Sequence, residues 1–456
     1  MRRGDSRYRV KKSFFLKTFG CQMNEHDSLK MAGLLSSIGY QETTDETGAD
    51  LILFNTCTIR QKAHDKAFSE VGKVLKKKES LPLAQRPMVG LCGCVAQEEG
   101  SKLLSRFPGI DLIFGPDQIH KLPILIDAVE KTSKPALACD LVNVAEDYHF
   151  LDGLEATRLK GPSAFVTIMK GCNSHCSYCI VPAVRGTEVY RPAREIVREI
   201  DYLAQQGCKE VTLLGQNVNS YGTNAGDGIT FAKLIRLISE NTDVARIRFT
   251  SPHPKDVRDD LIEEYATNPK LCSHIHLPLQ SGSDEVLKRM RRAYNTKTYL
   301  EKVRKLRQAR PDIAVTTDLI VGFPGETEED FQKTLAIVEE VGFDQIFTFK
   351  YSSRPGTEAA VMPDDVEPSV KEERLARLLK LERELARRKN EADVGKIFDC
   401  LVEGEDRWQS GSFSGRNSQN KIINFTGQAP EVGDILRIKV TKARGHSLTG
   451  EAGHAI

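Results

Sequence analysis

A strand-like run, SAFVTIMKGC (163–172), passes straight into GCNSHCSYCIVPAVRG (171–186), which sets Cys172, Cys176 and Cys179 in the spacing C-x3-C-x2-C. No other feature constrains the chain as much. Three thiols at this spacing cannot all pair as disulfides, and soft thiolates suit iron–sulfur chemistry. A cubane cluster has one more iron than these cysteines can bind, so one iron stays open, and an open position separates a reactive metal centre from a structural one. A ferredoxin run would read C-x2-C-x2-C with a fourth cysteine soon after. Structural zinc would need a fourth ligand, and only His175, inside the motif, is near.

At 456 residues the chain has room for two or three domains. Its net charge of +2 decides nothing about nucleic acid. There is no apolar run of about 18 residues, the length a membrane helix needs. The basic start, MRRGDSRYRVKK, lacks an apolar signal core, so a cytoplasmic protein with no membrane partner is expected. The eleven cysteines are odd in number and scattered, which argues against a disulfide framework. Cys139, Cys208, Cys272 and Cys400 have no partner spacing and read as small apolar filler.

Residues 12–130 alternate strand and helix. SFFLKTFG ends at Cys21, ADLILFNTC at Cys57, PMVGLCGC at Cys92 and Cys94, and DLIFG (111–115) is a fourth strand. Helical patterns fill 28–40, roughly 60–78, and 117–130. This order predicts a doubly wound parallel sheet, whose ligands collect at the carboxyl ends of the strands. Three successive strands deliver a cysteine to that edge, which reads as a second three-thiolate site. Its third member is Cys92 or Cys94. Cys94 is preferred, because Cys92 still lies inside the apolar run.

Residues 131–157 lack periodicity and read as a connection. From 158 to 388, six strands alternate with helices, predicting an incomplete (β/α)6 barrel with function at the strand C-termini. Three Gly-containing exits, GQN (215–217), HLPLQSGS (276–283) and GFPGET (322–327), leave that rim beside the cysteine motif. They make Gly215, Gln216, Asn217, Gln280 and Gly322 candidates for holding a small-molecule cofactor. PSVKEERLARLLKLERELARRKNEA (368–392) is a charged amphipathic helix. The short strands over 391–455 read as a small β-barrel of a kind that often binds RNA, with Arg416, Asn417, Lys421, Arg444 and His446 as candidate contacts. The stretch 286–310 sets ten basic residues, among them Arg289, Arg291 and Arg292, against Glu301 alone, which suggests contact with a phosphate backbone.

C-x3-C-x2-C after the first strand of a partial barrel resembles the radical S-adenosylmethionine (SAM) enzymes, and Tyr178 before the third cysteine fits them too. An N-terminal three-cysteine α/β domain and a TRAM-like C-terminal barrel narrow the resemblance to the methylthiotransferases, over about 12–455. TFGCQMN, NTC and GCVAQ match the family's first-cluster pattern, which implies Cys21, Cys57 and Cys94 as ligands of one [4Fe–4S] cluster and Cys172, Cys176 and Cys179 as ligands of another, which binds SAM. LLGQNVNSYG, IRFTSPHPKD, HLPLQSGSDEVLKRM and FTFKYSSRPGTEAA resemble the branch that adds a methylthio group to carbon 2 of isopentenyladenosine at tRNA position 37. Pro252 departs from the usual serine or threonine there.

The resemblance implies two SAM molecules per turnover. One methylates a sulfur carried at the first cluster, and the other yields a 5′-deoxyadenosyl radical that removes the hydrogen from carbon 2. It also implies an external electron donor and sulfur source, and a monomer is expected. Other branches act on a ribosomal-protein aspartate or on threonylcarbamoyladenosine in tRNA. A non-catalytic iron–sulfur RNA-binding or redox-sensing protein is the alternative outside enzymes.

Overall fold

The computed structural model describes residues 12–58, 61–144, 147–151, 161–223, 228–406, 409–427 and 429–453. The basic start of the chain and the domain limits expected at 158 and 455 lie outside them. Two compact units result. One takes the described chain up to 151 together with Ile180–Val189, and the other takes 161–179 and the chain from Tyr190 onward. The excursion of Ile180–Val189 into the first unit is not visible in the sequence pattern. Among the described residues no helix is long and apolar enough to cross a membrane.

The first unit is a six-stranded parallel sheet: β1 (Ser13–Thr18), β2 (Gln41–Glu42), β3 (Leu51–Thr56), β4 (Met88–Gly93), β5 (Leu112–Phe114) and β6 (Ala136–Ala138), in the order β2-β1-β3-β4-β5-β6. All six residues of β3 are buried, as expected for a central parallel strand with both faces covered. Leu51 and Leu53 enter one core with Met31 and Leu35 of the helix Gln22–Ser37. Ile52 and Phe54 enter the opposite core with Val71, Val74 and Leu75 of the helix Gln61–Ser80. The alternation of Cβ directions along β3 thus makes the unit doubly wound. Short elements escape the sequence reading, among them the two-residue β2, the helix Lys102–Arg106 and β6. β6 is three residues long, too short to leave a period, and lies in the stretch read as connection. The first helix starts at Gln22 rather than 28, because its opening turns bury Asn24, His26 and Asp27 instead of apolar side chains.

In the second unit, β7 (Ser163–Thr167), β8 (Glu210–Leu214) and β9 (Arg246–Phe249) form one parallel sheet, and β10 (His274–His276), β11 (Ala314–Val321) and β12 (Gln345–Lys350) form another. A parallel bridge between Ile247 and Leu271 joins them, so the six strands make an arc in chain order. Val166, Leu213, Ile247, Ile275 and Leu319 share one core with the surrounding helices. The helix Asp259–Thr267, unassigned in the sequence, fills the connection from β9 to β10. Leu378 and Leu385 of the long helix Pro368–Glu391 enter that core, and Arg374 on the same helix donates to Glu326 at 2.8 Å.

The closing strands β13 (Ile397–Glu405), β14 (Phe413–Asn417), β15 (Ile422–Thr426), β16 (Ile435–Ala443) and β17 (Leu448–Ala452) close a barrel in the order β13-β14-β15-β17-β16. Two buried arginines of β9 hold this barrel. Arg246 donates to the carbonyls of Arg416 (2.8 Å) and Asp399 (2.7 Å), and Arg248 to those of Asn417 and Ser418 (3.3 Å each). Arg248 also grips the Glu210 carboxylate through two bonds of 3.0 and 3.1 Å. Burial alone would raise the Glu210 pKa, but Arg248 and Arg246 outweigh it and hold the group below the ordinary carboxylate value. The pair therefore stabilises the fold above the unfolded carboxylate pKa, and loses that contribution as pH falls through the depressed folded value. Arg248→Met should cost about 3–5 kcal/mol, because it leaves Glu210 buried with weakened compensation. The urea midpoint checks this, and an unchanged midpoint refutes it.

Candidate metal centres

β1, β3 and β4 run parallel and in register, with Asn55 opposite both Thr18 and Cys92, so their carboxyl ends share one sheet edge. Cys57 follows β3 directly. Cys94 follows β4 and opens the short helix Cys94–Glu99, and Cys21 caps the helix Gln22–Ser37. Two left-handed glycines make the convergence possible. A Cβ on Gly20 (φ +135°) would fall 2.4 Å from Cys57 Cβ, and one on Gly93 (φ +89°) would fall 2.3 Å from Asn55 Oδ1 and 2.6 Å from the Thr56 carbonyl. Only glycine fits either place.

The Cys21 thiol is lowered to about 6, chiefly by a hydrogen bond from Cys57; burial opposes the shift and the Arg185 charge assists it. Burial raises the Cys94 thiol, and Arg185 beside it offsets part of the rise. Cys92 lies elsewhere. Its Sγ sits in the apolar core, 3.6 Å from Met31 Sδ and 3.4 Å from the Phe54 carbonyl, and burial pushes its thiol well up. Cys139 is half-buried, while Cys208, Cys272 and Cys400 are buried.

Arg185 is the site residue the sequence reading passed over, although it stands in the quoted IVPAVRG. It ends the helix Val181–Arg185, which belongs to the first unit. Its guanidinium is buried and donates to Asp27 Oδ2 at 2.8 Å and Asn24 Oδ1 at 3.2 Å. Ile180 and Val184 from the same segment pack on Cys94.

In the second unit the C-x3-C-x2-C loop leaves β7 through Met169, Lys170 and a left-handed Gly171 (φ +78°). The Gly171 amide donates to Gln216 Oε1, and the Ser174 amide to Cys172 Sγ at 3.4 Å. Cys179 N closes a turn on the Cys176 carbonyl at 3.0 Å. Ser177 ties the loop down: its amide reaches the Met290 carbonyl (3.1 Å), its hydroxyl the Arg289 carbonyl (2.8 Å), and its carbonyl accepts from Ala359 (2.7 Å). The three cysteines remain partly open to solvent. Tyr178 turns inward, edge-on to Phe323 with ring centroids 6.3 Å apart, and burial raises its phenol.

The basic stretch divides. Arg292, expected to meet phosphate, instead points at the loop. Its Nη1 donates to Cys176 Sγ at 3.2 Å, its Nη2 to the Pro278 carbonyl at 3.3 Å, and its Nε to Tyr294 Oη at 2.9 Å. Phosphate contact was the expectation for Arg292; the structure places its guanidinium on the cysteine loop because the Cys176 sulfur and the Pro278 carbonyl lie within hydrogen-bond reach. Lys421 is also withdrawn, bonded to Asp393 at 2.6 Å and 3.8 Å from Asp344. Arg289 is half-buried and donates to the Gly325 carbonyl at 2.8 Å. Arg291 is exposed and pairs with Glu358, Arg416 pairs with Glu403, and Arg444 and His446 are exposed on the turn between β16 and β17. Asn417 is fully buried.

A Cβ on Gly215 would meet Met169 Cγ at 2.6 Å, and one on Gly322 (φ +70°) would meet Lys371 Cγ at 2.3 Å, so packing requires glycine at both of these candidate cofactor positions. Gln216 anchors the cysteine loop through Gly171. Asn217, buried, donates to Asp256 at 2.9 Å. Gln280 is buried at φ +70°, a strained position for a non-glycine residue at the end of a strand connection.

Thiolate triads of this kind fit iron–sulfur clusters by donor chemistry. Among the described residues no three His, Cys, Asp or Glu side chains gather tightly enough for one metal ion. A cubane does not require that, since each cysteine binds a different iron.

The arc of parallel strands with its cysteine loop defines a radical SAM protein, and the Radical SAM superfamily model matches residues 166–338. A model described as uncharacterized protein family UPF0004 matches 13–115, and the TRAM domain model matches 391–452. The chain is 44% identical over 449 residues to a tRNA-2-methylthio-N(6)-dimethylallyladenosine synthase of Burkholderia cenocepacia (strain HI2424), covering 96% of this chain and 97% of that one. It is 45% identical over 442 residues to the same-named protein of Syntrophobacter fumaroxidans, covering 96% and 95%. The chain belongs to the MiaB-type radical SAM methylthiotransferase family. Among solved structures, the radical SAM methyltransferase TsrM from Kitasatospora setae shares the fold, at TM-score 0.52 and 15% identity over 77% of this chain and 74% of that one.

Proposed function

We propose that this chain methylthiolates carbon 2 of isopentenyladenosine (N6-dimethylallyladenosine) at position 37 of tRNA, in the cytoplasm. The observation that carries the reading is the near-full-length similarity to synthases named for that product. Cys172, Cys176 and Cys179 hold the [4Fe–4S] cluster at which SAM binds, and Cys21, Cys57 and Cys94 hold a second cluster that bears the sulfur. Two SAM molecules serve each turnover, with an external electron donor and sulfur source. An aromatic C–H bond is beyond side-chain acid–base chemistry, and the bound cofactors supply the radical that breaks it.

The protein's own residues do the positioning. Gln216 and Ser177 fix the cysteine loop, and Arg292 sets a positive charge on Cys176. His253, pushed down to about 2 by burial and by Arg292, stays neutral beside the Tyr294 ring. Lys442, Arg444 and His446, all exposed on the C-terminal barrel, are the contacts we assign to tRNA there, with Arg291 on the radical SAM unit. An anticodon-loop base is single-stranded, which lowers the cost of drawing it out of its stack.

Expressed in a strain lacking its own synthase, the chain should convert isopentenyladenosine to the 2-methylthio nucleoside, read by mass spectrometry of digested tRNA. Unchanged isopentenyladenosine, or methylthiolation of threonylcarbamoyladenosine instead, overturns the reading.

A further inference from the structure

We infer that Arg185 is the charge-balancing residue of the first cysteine triad, held in place by Asp27 and Asn24, and that it sets the reduction potential of the cluster bound there. The inference rests on the reading that Cys21, Cys57 and Cys94 bind a cluster, and goes beyond it by naming a residue outside the triad.

The argument begins with cost. Arg185 is buried with its partner, at side-chain exposures of 4% for Arg185 and 7% for Asp27. Replacing a buried ion pair by apolar side chains is often neutral or favourable, so stability alone is a weak reason for this one. The pair does not stand alone. The guanidinium lies beside the Cys94 thiol, and the Asn24 Oδ1 that accepts from it at 3.2 Å also faces the Cys21 thiol at 3.8 Å.

A cubane held by three thiolates is net negative in both of its working oxidation states, and more so when reduced. A permanently charged, planar guanidinium beside such a group is a geometric match. Asn24 adds no charge. Its Oδ1 accepts from Arg185 and its Nδ2 donates to the Phe19 carbonyl at 3.1 Å, so it locks the fork to the backbone before Cys21.

Charge, hydrogen bonding and burial around the sulfurs are the protein's levers on cluster potential. Removing the Arg185 charge must disfavour the reduced cluster, and removing the Asp27 charge must favour it. A purely structural pair would not give opposite signs.

The test uses the full chain with Cys172, Cys176 and Cys179 replaced by Ala, so that only the first triad binds iron. This parent is reconstituted anaerobically and titrated reductively, with cluster absorbance and electron paramagnetic resonance as readouts. Arg185→Met should shift the reduction equilibrium at least tenfold toward the oxidised cluster, about 59 mV lower for one electron. Arg185→Lys should stay within threefold of the parent, and Asp27→Asn should shift the equilibrium the opposite way. If Arg185→Met binds no iron while Arg185→Lys does, the role in holding the cluster stands and the sign for Asp27→Asn decides the rest. An Arg185→Met potential equal to the parent's, or shifts of the same sign for Arg185→Met and Asp27→Asn, overturns the inference. A parent that binds no iron instead overturns the cluster assignment itself.

Discussion

Replacing any one of Cys172, Cys176 or Cys179 with Ala is expected to abolish reductive cleavage of SAM. On the proposed assignment each thiolate would bind its own iron, so losing one would leave only two protein ligands, too few to hold the cluster. The loop itself should survive the change. It is tied down by Ser177 to Met290, Arg289 and Ala359, and by Gly171 to Gln216, and none of these contacts uses a cysteine side chain. The variants should therefore fold and keep the first cluster, with iron falling from about eight to about four per chain. Anaerobic assay of 5′-deoxyadenosine with dithionite checks the prediction, and retained cleavage in any of the three refutes it.

Cys94→Ala and Cys92→Ala should part company, although only Gly93 separates them. Cys94→Ala is expected to eliminate the methylthio product while 5′-deoxyadenosine still forms, because the second triad is untouched. Cys92→Ala should keep the product. Its sulfur only fills core space beside Met31 and Phe54, so the loss is about 1 kcal/mol of packing. The two readouts are product per tRNA and the urea midpoint. If Cys92→Ala loses the product and Cys94→Ala keeps it, the third ligand has been misassigned. The geometric basis is the turn at Gly93, which leaves Cys92 inside the parallel strand and places Cys94 past its end.

The cysteine spacing and the layered fold were legible in the sequence because both are written locally. Cysteine spacing is a count along the chain. The alternation of Leu51 and Leu53 with Ile52 and Phe54 is a period of two, readable without knowing what covers either face. The TRAM barrel and the arc of six strands follow from the same short-range patterns. Elements without such a period stay hidden: β2 and β6 have two and three residues, and the opening turns of the first helix bury polar side chains.

Arg292 and Arg185 mark the other limit. In the sequence, Arg292 is one cation among ten, and the run reads as a solvated or phosphate-facing surface. Arg185 is one letter in a cysteine motif. Their partners are Cys176, Asp27 and Asn24, set by chain closure over separations of 116, 158 and 161 residues. The same holds for Arg246 and Arg248, which read as strand residues and serve to dock the C-terminal barrel. The sequence alone determined which chemistry this protein can perform, because ligand type and spacing travel with the chain. Tertiary structure decided which charges surround each triad, because a buried charge takes whatever partner the closed fold brings within hydrogen-bond reach.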